Sequence, residues 1–143
     1  MSRVAAADIK TMCKSHSGNQ PHKYHAEELL EWSAPDEELL WCADYVDMAD
    51  RFGTACFLAV TRERVVLQRM EGTFAKGPDT YELAIDDLVA AVDYAKPVLF
   101  GLITNHHLVV EATTGRLVIQ DMANAMVASS AAAIKTAKLG TSQ

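Results

Sequence analysis

A chain of 143 residues can build one hydrophobic core without needing a metal ion or disulfide bonds. Half of its residues are hydrophobic and 22% are charged, which is typical of folded proteins and excludes an intrinsically disordered chain. The formal net charge of −6 argues against nucleic acid as a partner, because nucleic-acid binders need clustered Lys and Arg to displace counterions.

The three cysteines, Cys13, Cys42 and Cys56, have no CxxC spacing. Cys42 and Cys56 lie in apolar segments, where cysteine packs as a small hydrophobic residue, so we expect core positions rather than nucleophiles. This usage indicates a reducing compartment. Because the sequence also lacks a run of about 18 apolar residues and an apolar leader centre, the predicted localisation is cytoplasmic.

The N-terminal third predicts an arm followed by a domain. Residues 1–23 carry four basic residues and one acid and predict a short, marginal helix over 4–13. A second short helix is predicted over 24–32. We therefore divide the chain into an N-terminal arm with short helix, residues 1–34, and a domain, residues 35–140. An organelle transit peptide is the alternative reading of the basic arm.

The strongest local pattern is a β-hairpin at residues 54–70. Two runs rich in β-branched and aromatic residues, 55–60 and 65–70, flank the polar connection 61–64. A connection this short joins antiparallel strands.

Other strand-length runs surround the hairpin, and together they predict an up-and-down meander of six or seven strands. The strand-length runs outside the hairpin lie at residues 39–46, 81–85, 89–94, 98–104, 108–112 and 117–119. Breaks are expected at Asp86-Asp87, at Lys96-Pro97 and at the Asn105-His106-His107 turn.

A helix is predicted over residues 122–138, which are rich in alanine and contain no Gly or Pro. Asp121 suits the N-cap and Gly140 suits the stop. The spacing of Val127, Ser130 and Ile134 predicts one face of small and apolar residues against the strands.

The fold class is therefore α+β, mainly β: a partly open barrel of about seven antiparallel strands capped by a C-terminal helix. The rival fold is an α/β sandwich of the profilin or longin type. It requires a helix between the central strands, and residues 54–119 contain no convincing helical pattern.

Four segments resemble bacterial pleckstrin-homology-like (PH-like) domains: an acidic lead-in, a central hairpin, a strand with its corner and a last hairpin. They are PDEELL at 35–40, FLAVTRERVVL at 57–67, YELAIDDLV at 81–89 and TTGRLVI at 113–119. The resemblance covers about residues 35–138. It implies two nearly orthogonal antiparallel sheets and a C-terminal helix at one open corner, in a scaffold that binds proteins, peptides or lipids without catalysis.

The sequence contains no recognisable catalytic or metal-binding constellation. Adjacent histidines on a strand point to opposite faces, so we expect His106-His107 to be a turn pair rather than a metal site. His16, His22 and His25 are expected to face solvent. A Gly-rich phosphate loop, a GxSxG elbow and an HExxH helix are absent. The prediction is a protein that is not an enzyme and uses no cofactor.

The charges divide along the chain. The net charge is −9 over residues 24–50, +3 over 51–76 and −5 over 77–121. The basic residues predicted to bind a partner or an anion are Arg62, Arg64, Arg69 and Lys76. The alternative interpretation is that these charges keep hairpin tips and edge strands soluble.

Three functions remain as hypotheses. The first is a binding or assembly module that recognises a protein partner, or a second copy of itself, through a strand edge and the groove beside the C-terminal helix. The second is peripheral binding to anionic lipids through the basic hairpin. The third is a small-ligand carrier or enzyme that uses the barrel interior, with Tyr45, Tyr81 or His106 as polar groups.

Overall fold

Two helices and seven strands make up the described part of the chain. The structure, a computed structural model, describes residues 6–17, 37–48, 55–69, 80–101, 103–122 and 124–141. In chain order the elements are α1 (Ala6–Ser17), β1 (Leu39–Met48), β2 (Ala55–Thr61), β3 (Arg64–Arg69), β4 (Thr80–Ala84), β5 (Leu88–Val98), β6 (Ile103–Ala112), β7 (Gly115–Met122) and α2 (Asn124–Thr141). The predicted class, mainly β with about seven strands and a helix at each end, is confirmed.

The strands form one antiparallel series in the order β4-β3-β2-β1-β7-β6-β5. Strands β1 and β7 pair at two positions, Asp47 with Gln120 and Met48 with Ile119. This narrow contact divides the series into a four-stranded and a three-stranded sheet. Because β4 and β5 are the two ends of the order, the barrel is open, as predicted. The central helix of the rival α/β sandwich is absent from the described part of residues 54–119.

Side chains of β2 alternate between two cores, as expected for a strand buried on both faces. Leu58 and Val60 belong to the main core, which also includes Val127 and Ile134 of α2. Phe57 belongs to a second, outer core beneath α1. The four-stranded sheet is thus covered on one face by α2 and on the other by α1.

Helix α2 presents small and apolar residues to the main core, and the predicted face is confirmed: Val127, Ser130 and Ile134 are buried. The Ser130 hydroxyl donates to the Val127 carbonyl at 3.0 Å, which satisfies its buried donor. The Trp41 indole N–H donates to Ser129 Oγ at 2.9 Å and ties α2 to β1.

Helix α1 packs on the outer face of β1 and β2 through Ile9 and Cys13, one helical turn apart and both fully buried. It runs to Ser17, four residues beyond the predicted end at residue 13. The predicted arm therefore contributes part of a core. The proposed boundary at residue 34 and the predicted helix over 24–32 lie outside the described residues.

The two breaks predicted around the β5–β6 connection are wrong. Lys96 and Pro97 lie inside β5, which pairs with β6 from Leu88 to Val98. This ladder outweighs the local breaker signal, and β5 is the last strand of the described order, a position in which sheets tolerate proline. The turn lies instead at Leu99–Gly101. The predicted Asp86-Asp87 corner is confirmed as a short 3-10 turn, Ile85–Asp87.

Both predicted limits of the C-terminal helix are also wrong. Asp121 belongs to β7 rather than to the N-cap, because the strand continues to Met122 and the helix begins at Asn124. Gly140 lies inside α2 rather than ending it. A Cβ at this position would lie 3.3 Å from Arg62 Nη1, so the glycine permits a close approach instead of a left-handed cap.

The turn residue Phe100 has a left-handed backbone, with φ of 58°, and a side chain that is 107% exposed. The exposed ring contributes little packing energy, so it does not offset the unfavourable backbone conformation. We expect Phe100→Asn, a residue that tolerates this region, to raise the free energy of unfolding by roughly 0.5–1 kcal/mol. Urea unfolding measures the change. The free energy of unfolding of Phe100→Ala should stay within about 0.5 kcal/mol of that of the parent protein. A lower free energy of unfolding for Phe100→Asn would contradict the expectation.

Candidate functional site

The tip of the β2–β3 hairpin is organised by Thr61. Its Oγ1 accepts hydrogen bonds from the backbone N–H groups of Glu63 and Arg64, both at 3.1 Å, which closes the tight turn. The Thr61 hydroxyl donates to Glu37 Oε1 at 2.8 Å. The turn therefore lies directly against the start of β1.

Glu37 forms a buried ion pair with Arg64. The Arg64 Nε and Nη2 atoms each donate to a different oxygen of this carboxylate at 3.0 Å, a bidentate geometry. Glu37 is 1% exposed, whereas Arg64 reaches the surface and also contacts Glu82 Oε1 through Nη1 at 3.1 Å. The guanidinium thus joins β3 and β4 to the segment directly before β1.

Arg62 forms a second, more exposed pair. Its Nε donates to Glu38 Oε2, and the two side chains are 41% and 30% exposed. The backbone N–H of Arg62 also donates to the Glu38 carbonyl at 3.1 Å. This pair lies beside Gly140 near the end of α2.

The structure brings Arg62 and Arg64 together but does not extend them into one basic patch with Arg69. Arg69 lies at the other end of β3, about 17 Å along the strand, and its side chain is outside the described set. Lys76 also lies outside the described residues. The role of these four residues in binding an anion or partner stays a prediction.

The acidic partners of the two arginines were missed from the sequence. Within the part of the chain that the structure describes, three carboxylates contact the two guanidinium groups: those of Glu37, Glu38 and Glu82. An incoming anion would therefore compete with carboxylates already in place. The sequence did contain an acidic pair directly before β1. These acids lie 24 to 27 residues from their arginine partners in the hairpin, so no local pattern indicated the contact.

A groove of about 310 Å³ lies between β5 and α2. Most of its lining is apolar, and two lysines form part of the helix side. The lining residues are Leu88, Val89, Ala90, Ala91, Val92, Ile134, Lys135 and Lys138. Val89 and Val92 are 69% and 48% exposed, although both are β-branched residues in a strand. The groove therefore presents apolar surface that the described residues leave open to solvent.

Strand β5 is also an edge. At eleven residues it is the longest of the described strands, and it ends the strand order. Among the described strands its outer side has no neighbour, so its backbone N–H and C=O groups on that side can pair with a further strand. The apolar groove and this edge are continuous, because five consecutive residues of β5 line the groove.

The helix side of the groove is positive. Helix α2 contains Lys135 and Lys138 and no Asp or Glu. The Lys138 ammonium donates to the carbonyls of Ile85 and Asp86 at 3.3 and 3.2 Å, which holds the helix against the β4–β5 corner. Lys135 is exposed and projects a charge at the groove.

The adjacent histidines were considered for metal binding. His106 and His107 lie inside β6, so the predicted turn pair is wrong; the β5–β6 ladder includes both. The described residues contain no group of three His, Cys, Asp or Glu side chains that could hold a metal ion.

Cys42 and Cys56 are buried in strands, which confirms their predicted core positions. Tyr81 packs partly buried at the main core, whereas the side chains of Tyr45 and His106 lie outside the described set.

Comparison with known proteins gives a likeness in fold. No family model matches the chain, and no curated protein matches it in sequence. A similar solved structure is the hSac2 domain from human phosphoinositide phosphatase Sac2, with a TM-score of 0.56 and 12% identity, covering 86% of each chain. At this identity the likeness concerns the arrangement of strands and helices and not a ligand or an activity. Neither described helix is long and apolar enough to cross a membrane.

Proposed function

We propose that this chain is a non-enzymatic, cytoplasmic PH-like module that binds an extended segment of a partner protein. The segment adds a strand to β5 and places alternate side chains in the groove beside α2. The observation that carries this proposal is the continuity of the long β5 edge with an apolar groove of about 310 Å³. The open antiparallel barrel with a C-terminal helix, and its likeness in fold to the hSac2 domain, support the PH-like assignment.

Strand addition fits the exposed groups of this surface. The backbone of the segment would pair with the outer edge of β5, and its apolar side chains would cover Val89 and Val92. Each buried apolar side chain contributes about 1.5–3 kcal/mol before the cost of ordering the segment. Affinity thus comes from the backbone and the valines together.

Charge indicates the chemistry of the partner. The lysines of α2 favour a segment with an acidic residue facing Lys135. Two copies of this chain pairing through β5 would bring two sets of these lysines towards each other. The charge therefore favours a different, acidic partner over self-association.

A photo-crosslinking amino acid at position 92 tests the proposal. It is introduced into the full chain in its native cells, and the same group at the exposed position Lys10, on α1, serves as the control. We expect the group at position 92 to crosslink to one extended segment that contains acidic and apolar residues. The group at position 10 should form no crosslink to that segment. Crosslinks at position 92 to a second copy of the chain, or the same proteins at both positions, would contradict the proposal.

A synthetic peptide of the marked segment then allows a direct measurement by calorimetry. Val92→Arg and Lys135→Glu should each weaken its binding at least about tenfold, because one removes apolar contact and the other reverses the complementary charge. Lys10→Glu makes the same charge change on α1 and should leave the affinity unchanged. Equal affinity for all variants would overturn the assignment of the site.

A further inference from the structure

A pair of cysteine thiols connects α1 to the sheet. Cys13 of α1 and Cys42 of β1 have Sγ atoms 3.7 Å apart, and both residues are fully buried. The Cys42 Sγ is also 3.7 Å from the Ile9 carbonyl oxygen, one turn earlier on α1. The third cysteine, Cys56, belongs to the main core on the other face of the sheet. The fold therefore separates one close thiol pair from a third thiol.

We propose that Cys13 and Cys42 form a dithiol site that reacts with small disulfides of the glutathione type and closes to a disulfide bond locking α1 onto the sheet. The proposal rests on the outer core and is independent of the groove beside α2. A disulfide requires sulfurs about 2.05 Å apart, so the two atoms must approach by less than 2 Å. Rotation of the side chains and a small shift of α1 can provide this movement.

Opening of α1 admits the reagent. The helix has twelve residues, a length that is marginal in isolation, and among its described side chains the buried apolar anchors are Ile9 and Cys13. Local opening of such an element requires less free energy than global unfolding. While α1 is docked, the buried thiols are shielded; once it opens, both meet solvent together.

The chemistry is a two-step thiol–disulfide exchange. One cysteine loses its proton and attacks oxidised glutathione, which forms a mixed disulfide and releases one reduced glutathione. The second cysteine loses its proton and attacks the protein sulfur of that mixed disulfide, which releases the second reduced glutathione. Two protein thiols are thereby oxidised by two electrons, and one glutathione disulfide is reduced to two thiols.

The test uses the full chain without denaturant. The protein is incubated with oxidised glutathione, remaining thiols are alkylated after unfolding, and non-reducing peptide maps are read by mass spectrometry. We expect a peptide pair joined through Cys13 and Cys42, with Cys56 alkylated. The joined protein should resist proteolysis within α1 at least about tenfold longer, because the crosslink prevents opening.

Variants separate this site from random oxidation. Cys56→Ser should form the same link at the same rate, whereas Cys42→Ala should form none. Ile9→Ala should accelerate the link at least about tenfold, because it weakens the docking of α1. The proposal would be overturned if the Cys13–Cys42 disulfide formed only in denaturant, or if disulfides to Cys56 formed to the same extent. It would also be overturned if Ile9→Ala left the rate of disulfide formation unchanged.

Discussion

Replacing Glu37 with alanine is expected to lower the free energy of unfolding by about 3 kcal/mol. The carboxylate is 1% exposed and receives two hydrogen bonds from Arg64 and one from Thr61. Its removal leaves a guanidinium that is 20% exposed and that, among the described residues, keeps one carboxylate partner, Glu82, in place of two. We place the loss at the low end for buried pairs because Glu82 remains. Chemical denaturation with intrinsic fluorescence measures it.

The neighbouring acid provides the matched control. Glu38→Ala removes the exposed pair with Arg62 and should lose less than about 1 kcal/mol, because water screens both charges. A double variant, Glu37→Met with Arg64→Leu, should be more stable than Glu37→Ala alone, since it leaves no buried charge uncompensated. Equal losses for Glu37→Ala and Glu38→Ala would show that burial does not set the strength of the Glu37 pair.

Phe57→Ala is expected to lower the free energy of unfolding by about 3–5 kcal/mol. Phe57 is among the largest fully buried side chains and lies between β2 and α1, in the outer core. Truncation removes its apolar contacts and leaves a cavity beneath the helix. The loss should be accompanied by faster proteolysis of α1, which limited digestion measures.

Phe100→Ala is the control for this substitution, because it removes the same atoms from a fully exposed position. It should change stability by less than about 0.5 kcal/mol. A loss below about 1 kcal/mol for Phe57→Ala would show that the face beneath α1 is not a packed core. The pair of variants therefore tests whether α1 belongs to the folded unit.

The outer core beneath α1 and the groove beside α2 have separable roles in our interpretation. The outer core under α1 contains the close pair Cys13 and Cys42. The groove beside α2 joins an open strand edge to apolar surface and two lysines. Val92→Arg changes the groove without touching the outer core, and Cys42→Ala does the reverse. Each proposal can thus fail while the other holds.

Local sequence was enough for the hairpin, the meander and the buried face of α2. The polar connection between two β-branched runs predicted β2 and β3, and the register pairs Val60 with Val65 next to the turn. The spacing of Val127, Ser130 and Ile134 predicted the helix face that is buried. These features depend on side-chain period and turn chemistry, which act between residues close in the chain.

Tertiary pairing decided the rest. The β5–β6 ladder outweighed the breaker signals of Pro97 and the residues before Leu108, because its many hydrogen bonds form between segments that no local window compares. The partners of Arg62 and Arg64 come from acids at the start of β1, and the apposition of Cys13 and Cys42 spans 29 residues. The sequence by itself therefore determined the mainly β class, the central hairpin and the presence of a helix at each end, but not the limits of β5, β6 and α2. Only the folded chain decided which charges neutralise each other, which thiols meet and which edge stays open, because those depend on contacts between distant residues.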